Sequence, residues 1–439
     1  MALGLSGGTA DITFIGKITQ SKNAAAMMTI GGGHAAGTLP GEGTGTVTFS
    51  EYQTGQGIAT ASMGTGLQFS NADGTYDFNH KVAVSGAAGS GASEGVSITN
   101  GSDGTITFDR IMLTNVNGVS FNLNGGTADV DFKGKITQDA NNVAVLTIGG
   151  GHAVGALPSE GNGTVEFTQY QTGQGIVTAS MGTGLHLNQA NGDYDFSHLV
   201  DINGSTATGI NIQSSNGAVT FASATIDGTS SHGVSITDSA NVSLSNVDIN
   251  GVGGEGIHVD QSVSSTLVIS NCDINTTGTN RGINMIVDSG ASTSRITLLN
   301  NDVSAQNAEA VLLDIPNNVD AKTVYYLMQN NSLANTSATA PVADLDAHGN
   351  VLLNATVSTN TFNGPNVATA FTTTSNDAST TIRLKLNGNT LASTGTNIVL
   401  NGSTGTFSVE DVATISADNN GASETHAGCT NDPGGIPTP

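Results

Sequence analysis

Short runs in which apolar and polar residues alternate recur along the chain, at Thr105–Phe108, Ala128–Phe132, Thr164–Phe167, Val219–Phe221 and Val242–Leu244. Gly, Asn, Asp or Ser bounds each run or lies within a few residues of it. Alternation with a period of two between turn residues predicts β-strands with one buried face. Helical periodicity is nearly absent. The nearest candidate, Gln306 to Ile315, does not sustain a helical repeat.

The spacing of the predicted strands is more informative than the strands themselves. A tetrad of Gly, apolar, any residue, apolar recurs at Gly95–Ile98, Gly118–Phe121, Gly209–Ile212, Gly233–Ile236, Gly256–Val259 and Gly282–Met285. Successive glycines lie 23 (95 to 118), 24 (209 to 233), 23 (233 to 256) and 26 (256 to 282) residues apart. A second column follows, ending on Ile249, Ile274, Val303, Leu333, Phe362 and Leu391, with gaps of 25, 29, 30, 29 and 29. Most of its members begin with Asn, as in Asn246-Val247-Asp248-Ile249 and Asn300-Asn301-Asp302-Val303. Repeats of this length, with several short strands and no helix, predict an all-β solenoid whose coils have three faces. A sandwich would instead show hairpin turns every 8–12 residues and no long-range column.

In such a coil each residue stacks on its counterpart one turn away, at about 4.8 Å. Apolar side chains then form a continuous inward column, here expected to include Ile212, Ile236, Val259 and Met285. Asn at a tight turn can bond the next coil's amide, and Gly is expected to supply a positive-φ corner. About sixteen coils fit the chain, a rod roughly 75–80 Å long at that rise.

The chain also contains a duplication. Residues 7–78 and 125–196 align without a gap, with about two positions in three identical, so that His34 matches His152 and Tyr52 matches Tyr170. Both copies carry a Gly-Gly-Gly-His segment, Gly31–His34 and Gly149–His152, and equivalent projecting loops are expected at Ala35–Gly45 and Ala153–Gly163, with Pro40 and Pro158 in the same place. Residues 1–422 are read as a single β-helix, and 423–439, where strand alternation is lost, as tail or linker. The N-terminus lacks the basic and apolar regions of a signal peptide, and the repeat begins almost at once. Met1 is therefore expected to lie within a longer parent chain.

These columns, above all the Asn-x-x-apolar turns between Asn246 and Leu391, resemble the right-handed parallel β-helix of the pectate-lyase-like superfamily. The expected fold is thus an all-β, right-handed parallel β-helix with loop-enlarged, duplicated N-terminal coils. The duplicated block, with its GTGLQFSNADGTYDF and GTGLHLNQANGDYDF segments, is similar to repeats of large secreted bacterial surface proteins and autotransporter-type adhesin passengers.

Composition changes the picture mainly through charge. The formal net charge is −24, from 35 acidic and 11 basic residues, which disfavours nucleic acid and anionic membrane as partners. Gly is abundant at 59 residues, but Pro is scarce at 8 and no collagen-like period exists. Plentiful β-branched residues argue against disorder. No apolar run approaches the ~20 residues of a membrane helix. Cys272 and Cys429 are too few for a framework or a metal site; one bridge between them is the alternative to two free thiols.

Candidate chemistry is thin. The resemblance implies either Ca²⁺-binding acids with an Arg base, or an Asp trio with a His and an Arg-Lys pair. Ser231-His232-Gly233 matches the His-Gly element of the second set, but no Asp pair precedes it, and Arg281-Gly282-Ile283 is not the basic pair. Asp248, Asp273 and Asp302 share a column and could form an acidic ladder, with Ca²⁺ the one metal worth considering. Tyr52 and Tyr170 read more readily as caps on the apolar stack than as surface contacts, while Tyr325-Tyr326 should place one ring in and one out. The Gly-Gly-Gly-His segments could cradle an anion, although no Lys or Arg follows them, and a projecting loop is the simpler expectation. No catalytic, cofactor or metal residue is assigned. The expected function is a structural or adhesive segment of a secreted or cell-surface protein, binding a glycan, a surface protein or itself. The rival is a polysaccharide lyase, hydrolase or tailspike-like depolymerase on the same fold.

Overall fold

The computed structural model describes residues 2–439 apart from 22–24, 63–64, 87–93, 140–142, 158–159, 289, 291, 317–319, 403 and 433. It is nearly all-β, 54% strand against 2% helix, and its sheets are long and parallel. The chain divides into two compact units, Met1–Thr225 and Ile226–Pro439.

In the first unit eight strands form one parallel sheet: Leu3–Ser6, Met28–Ala35, Leu67–Asp73, Glu94–Thr99, Val119–Asn124, Leu146–Gly149, Leu185–Asn188 and Ile210–Gln213. Their register sets Leu5, Ile30, Phe69, Ile98, Leu123, Ile148, Leu187 and Ile212 side by side. A second face carries a column of one residue type. Phe14, Phe49, Phe78, Phe108, Phe132, Phe167, Phe196 and Phe221 pair rung to rung. Phe49–Phe78, Phe167–Phe196 and Phe196–Phe221 stack nearly flat, with centroids 4.5, 4.7 and 4.4 Å apart. Each buried ring contributes on the order of 1.5–3 kcal/mol by burial alone.

In the second unit the corresponding sheet runs through Val234–Thr237, Ile257–Gln261, Ile283–Val287, Val311–Ile315, Ala343–Ala347, Phe371–Ser375, Ile398–Asn401 and Glu424–Ala427, all parallel. Ile236, Val259 and Met285 lie in register and buried, as expected; Ile212 of the first unit is also buried and pairs with Leu187. The expected column Ile249, Ile274, Val303, Leu333, Phe362, Leu391 is likewise in register. The doubtful helical stretch near Gln306 yields the strand Val311–Ile315.

The column's asparagines do what the turn chemistry predicts. Asn301, Asn331, Asn360 and Asn389 are buried, and each takes its backbone N–H to the side-chain Oδ1 of the next, ending on Asn419. Their Nδ2 groups bond carbonyls of earlier strands, such as Asn331 to Leu298 at 3.1 Å. Cys272 heads the ladder, donating its backbone N–H to Asn301 at 3.0 Å.

Glycines do supply left-handed corners, as at Gly204, Gly228, Gly251 and Gly388, and share that role with Asn246, Asn271, Asn300, Asn330 and Thr359. The tetrad glycines are not among them: none of Gly95, Gly233, Gly256 and Gly282 has positive φ. The tetrad positions exclude a side chain for lack of room: a Cβ on Gly256 would meet Gly282 O at 2.6 Å and Ile274 Cγ2 at 2.4 Å.

The expected tail also needs correction between 424 and 432. Glu424–Ala427 pairs with Ile398–Asn401, and Cys429–Asp432 pairs with Phe407–Glu410. Most of these side chains are exposed and polar, so backbone pairing holds the strands where no alternation betrays them. Arg383 clamps the end, with Nε 2.9 Å and Nη2 3.0 Å from the two oxygens of buried Asp432. Cys272 and Cys429 are both free thiols.

Candidate functional site

The duplicated Gly-Gly-Gly-His segments build a lock inside each copy. His34 and His152 are fully buried, so the expected projecting loop does not begin there. Gly31 and Gly149 pass so close to the neighbouring strand that a Cβ would lie 1.9 Å from Ser70 O and 2.0 Å from Asn188 O, and the two glycines after each have positive φ. That turn swings the imidazole inward. His34 Nε2 donates to Ala10 O and His152 Nε2 to Ala128 O, both at 3.0 Å. A carbonyl only accepts, so Nε2 carries a proton, and Nδ1 meets the tyrosine hydroxyl, Tyr76 at 3.1 Å and Tyr194 at 2.7 Å, which also reaches the histidine's own carbonyl at 3.1 and 3.2 Å. Burial lowers the His152 pKa. Both nitrogens are spent on protein partners, which leaves no anion cradle. Beyond this lock, Glu42 caps the backbone of Leu39, and Glu160 caps Ala156 and Leu157, so the two loops share one turn. Pro158 lies outside the described residues.

Tyr52 and Tyr170 do not cap the apolar stack. They are 73% and 38% exposed. The Arg110 guanidinium sits 4.3 Å above the Tyr170 ring, aimed there by a β-bulge next to Phe108. A surface groove is lined by Glu51, Lys81, Asp109, Arg110, Lys133 and Tyr170, so that cations and carboxylates surround one aromatic ring. Tyr325 and Tyr326 divide as expected, with Tyr326 fully buried and Arg295 stacked 4.4 Å from the Tyr325 ring.

Asp248, Asp273 and Asp302 do form a ladder, rung to rung. Burial and then its two neighbours raise the Asp273 pKa. Among the described residues, however, three metal-ligating atoms come within 4.8 Å of one another elsewhere, at His232, Glu255 and His258.

Register explains that convergence. Val234 pairs with Ile257, and Ile257 with Ile283, so the residues before the tetrad glycines, His232, Glu255 and Arg281, occupy successive rungs. The next rung brings Glu309. Glu255 Oε2 lies 2.9 Å from His232 Nδ1 and 3.2 Å from His258 Nδ1, while Arg281 reaches Glu255 at 3.9 Å and Glu309 at 2.7 Å. The two imidazoles stack at 4.7 Å and 15°. Hydrogen bonds from His232 and then His258 hold the Glu255 carboxyl far below its usual range, and Glu255 in turn raises the His258 pKa. His232 and Arg281, each an incomplete motif in the sequence, thus meet on one carboxylate. The signal that would have found Glu255 was the position before its tetrad glycine; Glu309 precedes Ala310, where the tetrad glycine is lost.

Farther along the same outer face, Leu312 pairs with Asp344 and Asp314 with Asp346. Burial, opposed by a hydrogen bond from Thr372 and reinforced by Asp346, Glu309 and Asp314, pushes the Asp344 pKa up to about 6. His348 Nε2 lies 3.2 Å from Asp346. These acids sit at alternate positions of ordinary strands, where the sequence marks them no differently from solvated residues. No protein-family model, curated protein or solved structure matches the chain.

Proposed function

We propose that the chain is a right-handed parallel β-helix of the pectate-lyase-like kind, acting as a structural and adhesive segment of a secreted or cell-surface bacterial protein. The observation that carries this reading is the Tyr170–Arg110 groove, together with Tyr52 exposed at the equivalent place in the other copy. Exposed aromatic rings beside cationic groups are a common way to hold sugars and peptide side chains. Exposed apolar residues recur too, at Leu39 (66%) and Leu157 (60%). Glu51 and Gly55, beside Tyr52, line the same groove as Tyr170, so both copies contribute to one contact surface. The test is retention on immobilised pectins, alginate, xylan and β-glucans, with and without Ca²⁺. Binding without product release is expected, weakened about tenfold by Tyr170→Ala, a loss of about 1.4 kcal/mol. Retention unchanged in Tyr170→Ala and Arg110→Ala together removes the groove from the reading.

One observation favours a second reading, a carbohydrate-active enzyme. Asp344, with its carboxyl pushed up to about 6, lies in the same acidic group as Asp346 and as Asp314, which burial also raises, and glycoside cleavage needs two carboxylates of unequal pKa. Reducing-end release or unsaturated product, abolished by Asp344→Asn, would establish this alternative and end the adhesive one.

A further inference from the structure

We propose that His232, Glu255 and His258 form a site for a borderline divalent cation of the Zn²⁺ class. Three features of the cluster argue for it. First, the donor set is right: two imidazole nitrogens and a carboxylate oxygen suit zinc-like ions, whereas Ca²⁺ and Mg²⁺ require oxygen shells. Second, the atoms already converge. Ligands held at about 2.1 Å from one metal lie roughly 3.0–3.4 Å apart, and here the two Nδ1–Oε2 separations are 2.9 and 3.2 Å.

Third, the surroundings hold the ligands in place, as an outer shell should. Asn284 Nδ2 bonds Glu255 Oε1 at 3.0 Å, and Arg281, shared with Glu309, backs the same oxygen. Side-chain exposures of 27% for His232 and 22% for His258 leave a path from solvent and positions for water on the metal.

The site belongs to the second unit and shares no residue with the groove of the first, so its failure leaves the adhesive reading untouched. Calorimetry of the metal-stripped full chain should show one equivalent of Zn²⁺ bound, no comparable heat with Ca²⁺ or Mg²⁺, and binding weakened at least about a hundredfold in His258→Ala. Co²⁺ supplies a readout that needs no variant: visible d–d bands of a nitrogen- and oxygen-ligated ion, bleached by added Zn²⁺. Circular dichroism should show the His232→Ala and His258→Ala chains folded, because both residues project from the outer face of the sheet. Equal Zn²⁺ binding by wild type and the double variant, or no Co²⁺ bands in the wild type, overturns the proposal.

Discussion

At the scale of single residues, burial decides chemistry more than identity does. The Tyr194 hydroxyl accepts the Gly192 N–H at 3.1 Å while it serves His152, and Tyr76 does the same with Gly74 and His34. Tyr194→Phe leaves a buried amide and a buried Nδ1 without partners, so a loss of about 2 kcal/mol is expected in urea unfolding, matched by Tyr76→Phe. A change within 0.5 kcal/mol at both sites would show that water replaces the hydroxyl. The thiols give a second test. Burial pushes both Cys272 and Cys429 up to about 11, which leaves little thiolate at neutral pH. Alkylation at pH 7.5 should be slow in the native chain and reach two labels only after denaturation, with no mass change on reduction.

At the scale of elements, the asparagine ladder ties each turn to the next. Asn331 accepts from the Asn301 amide and donates to Leu298 O, so Asn331→Ala orphans two buried backbone groups. The expected cost is roughly 2–4 kcal/mol, measured by urea midpoint; Asn241→Ala, exposed and without a positive φ, should cost far less. The last strand depends on charge. Arg383, then the Ser408 hydroxyl, lower the Asp432 carboxyl to about 2. A depressed carboxyl stabilises the fold above its unfolded value near 3.8 and loses that contribution as pH falls toward 2. The difference is about 2 kcal/mol. Arg383→Ala should therefore free residues 429–432 to proteolysis at pH 7, and wild type should approach the variant's susceptibility near pH 2. Equal protection of the strand in both proteins at pH 7 would remove the clamp's role.

At the scale of the whole molecule, charge dominates. A formal −24 at pH 7 keeps copies apart, and the isoelectric point near 4.3 marks where that repulsion vanishes. Light scattering should show a monodisperse protein at pH 7–8 and association near pH 4.3, reversed by returning to neutral pH. Solubility unchanged through the isoelectric point would mean that the exposed strands and loops resist pairing without help from charge.

The strand partners of the second unit were legible before any coordinates, because in a parallel repeat each residue stacks on its own counterpart and the period alone names the neighbour. Ile249 through Leu391 and the asparagine ladder follow from that rule. The phenylalanine column was harder to see. Its members are 35 residues apart from Phe14 to Phe49 but 24 from Phe108 to Phe132, because connections of unequal length separate the paired strands. Strands 424–427 and 429–432 were hidden for a different reason, since they hold by backbone pairing and a salt bridge and need no apolar alternation. The tertiary structure alone decided the chemistry. Whether a histidine is sealed against a tyrosine, as His152 is, or shares a carboxylate on the outer face, as His258 does, depends on the neighbouring strand's register and on the space left by a missing Cβ. Both are properties of two rungs together, and neither is written in the residues of one.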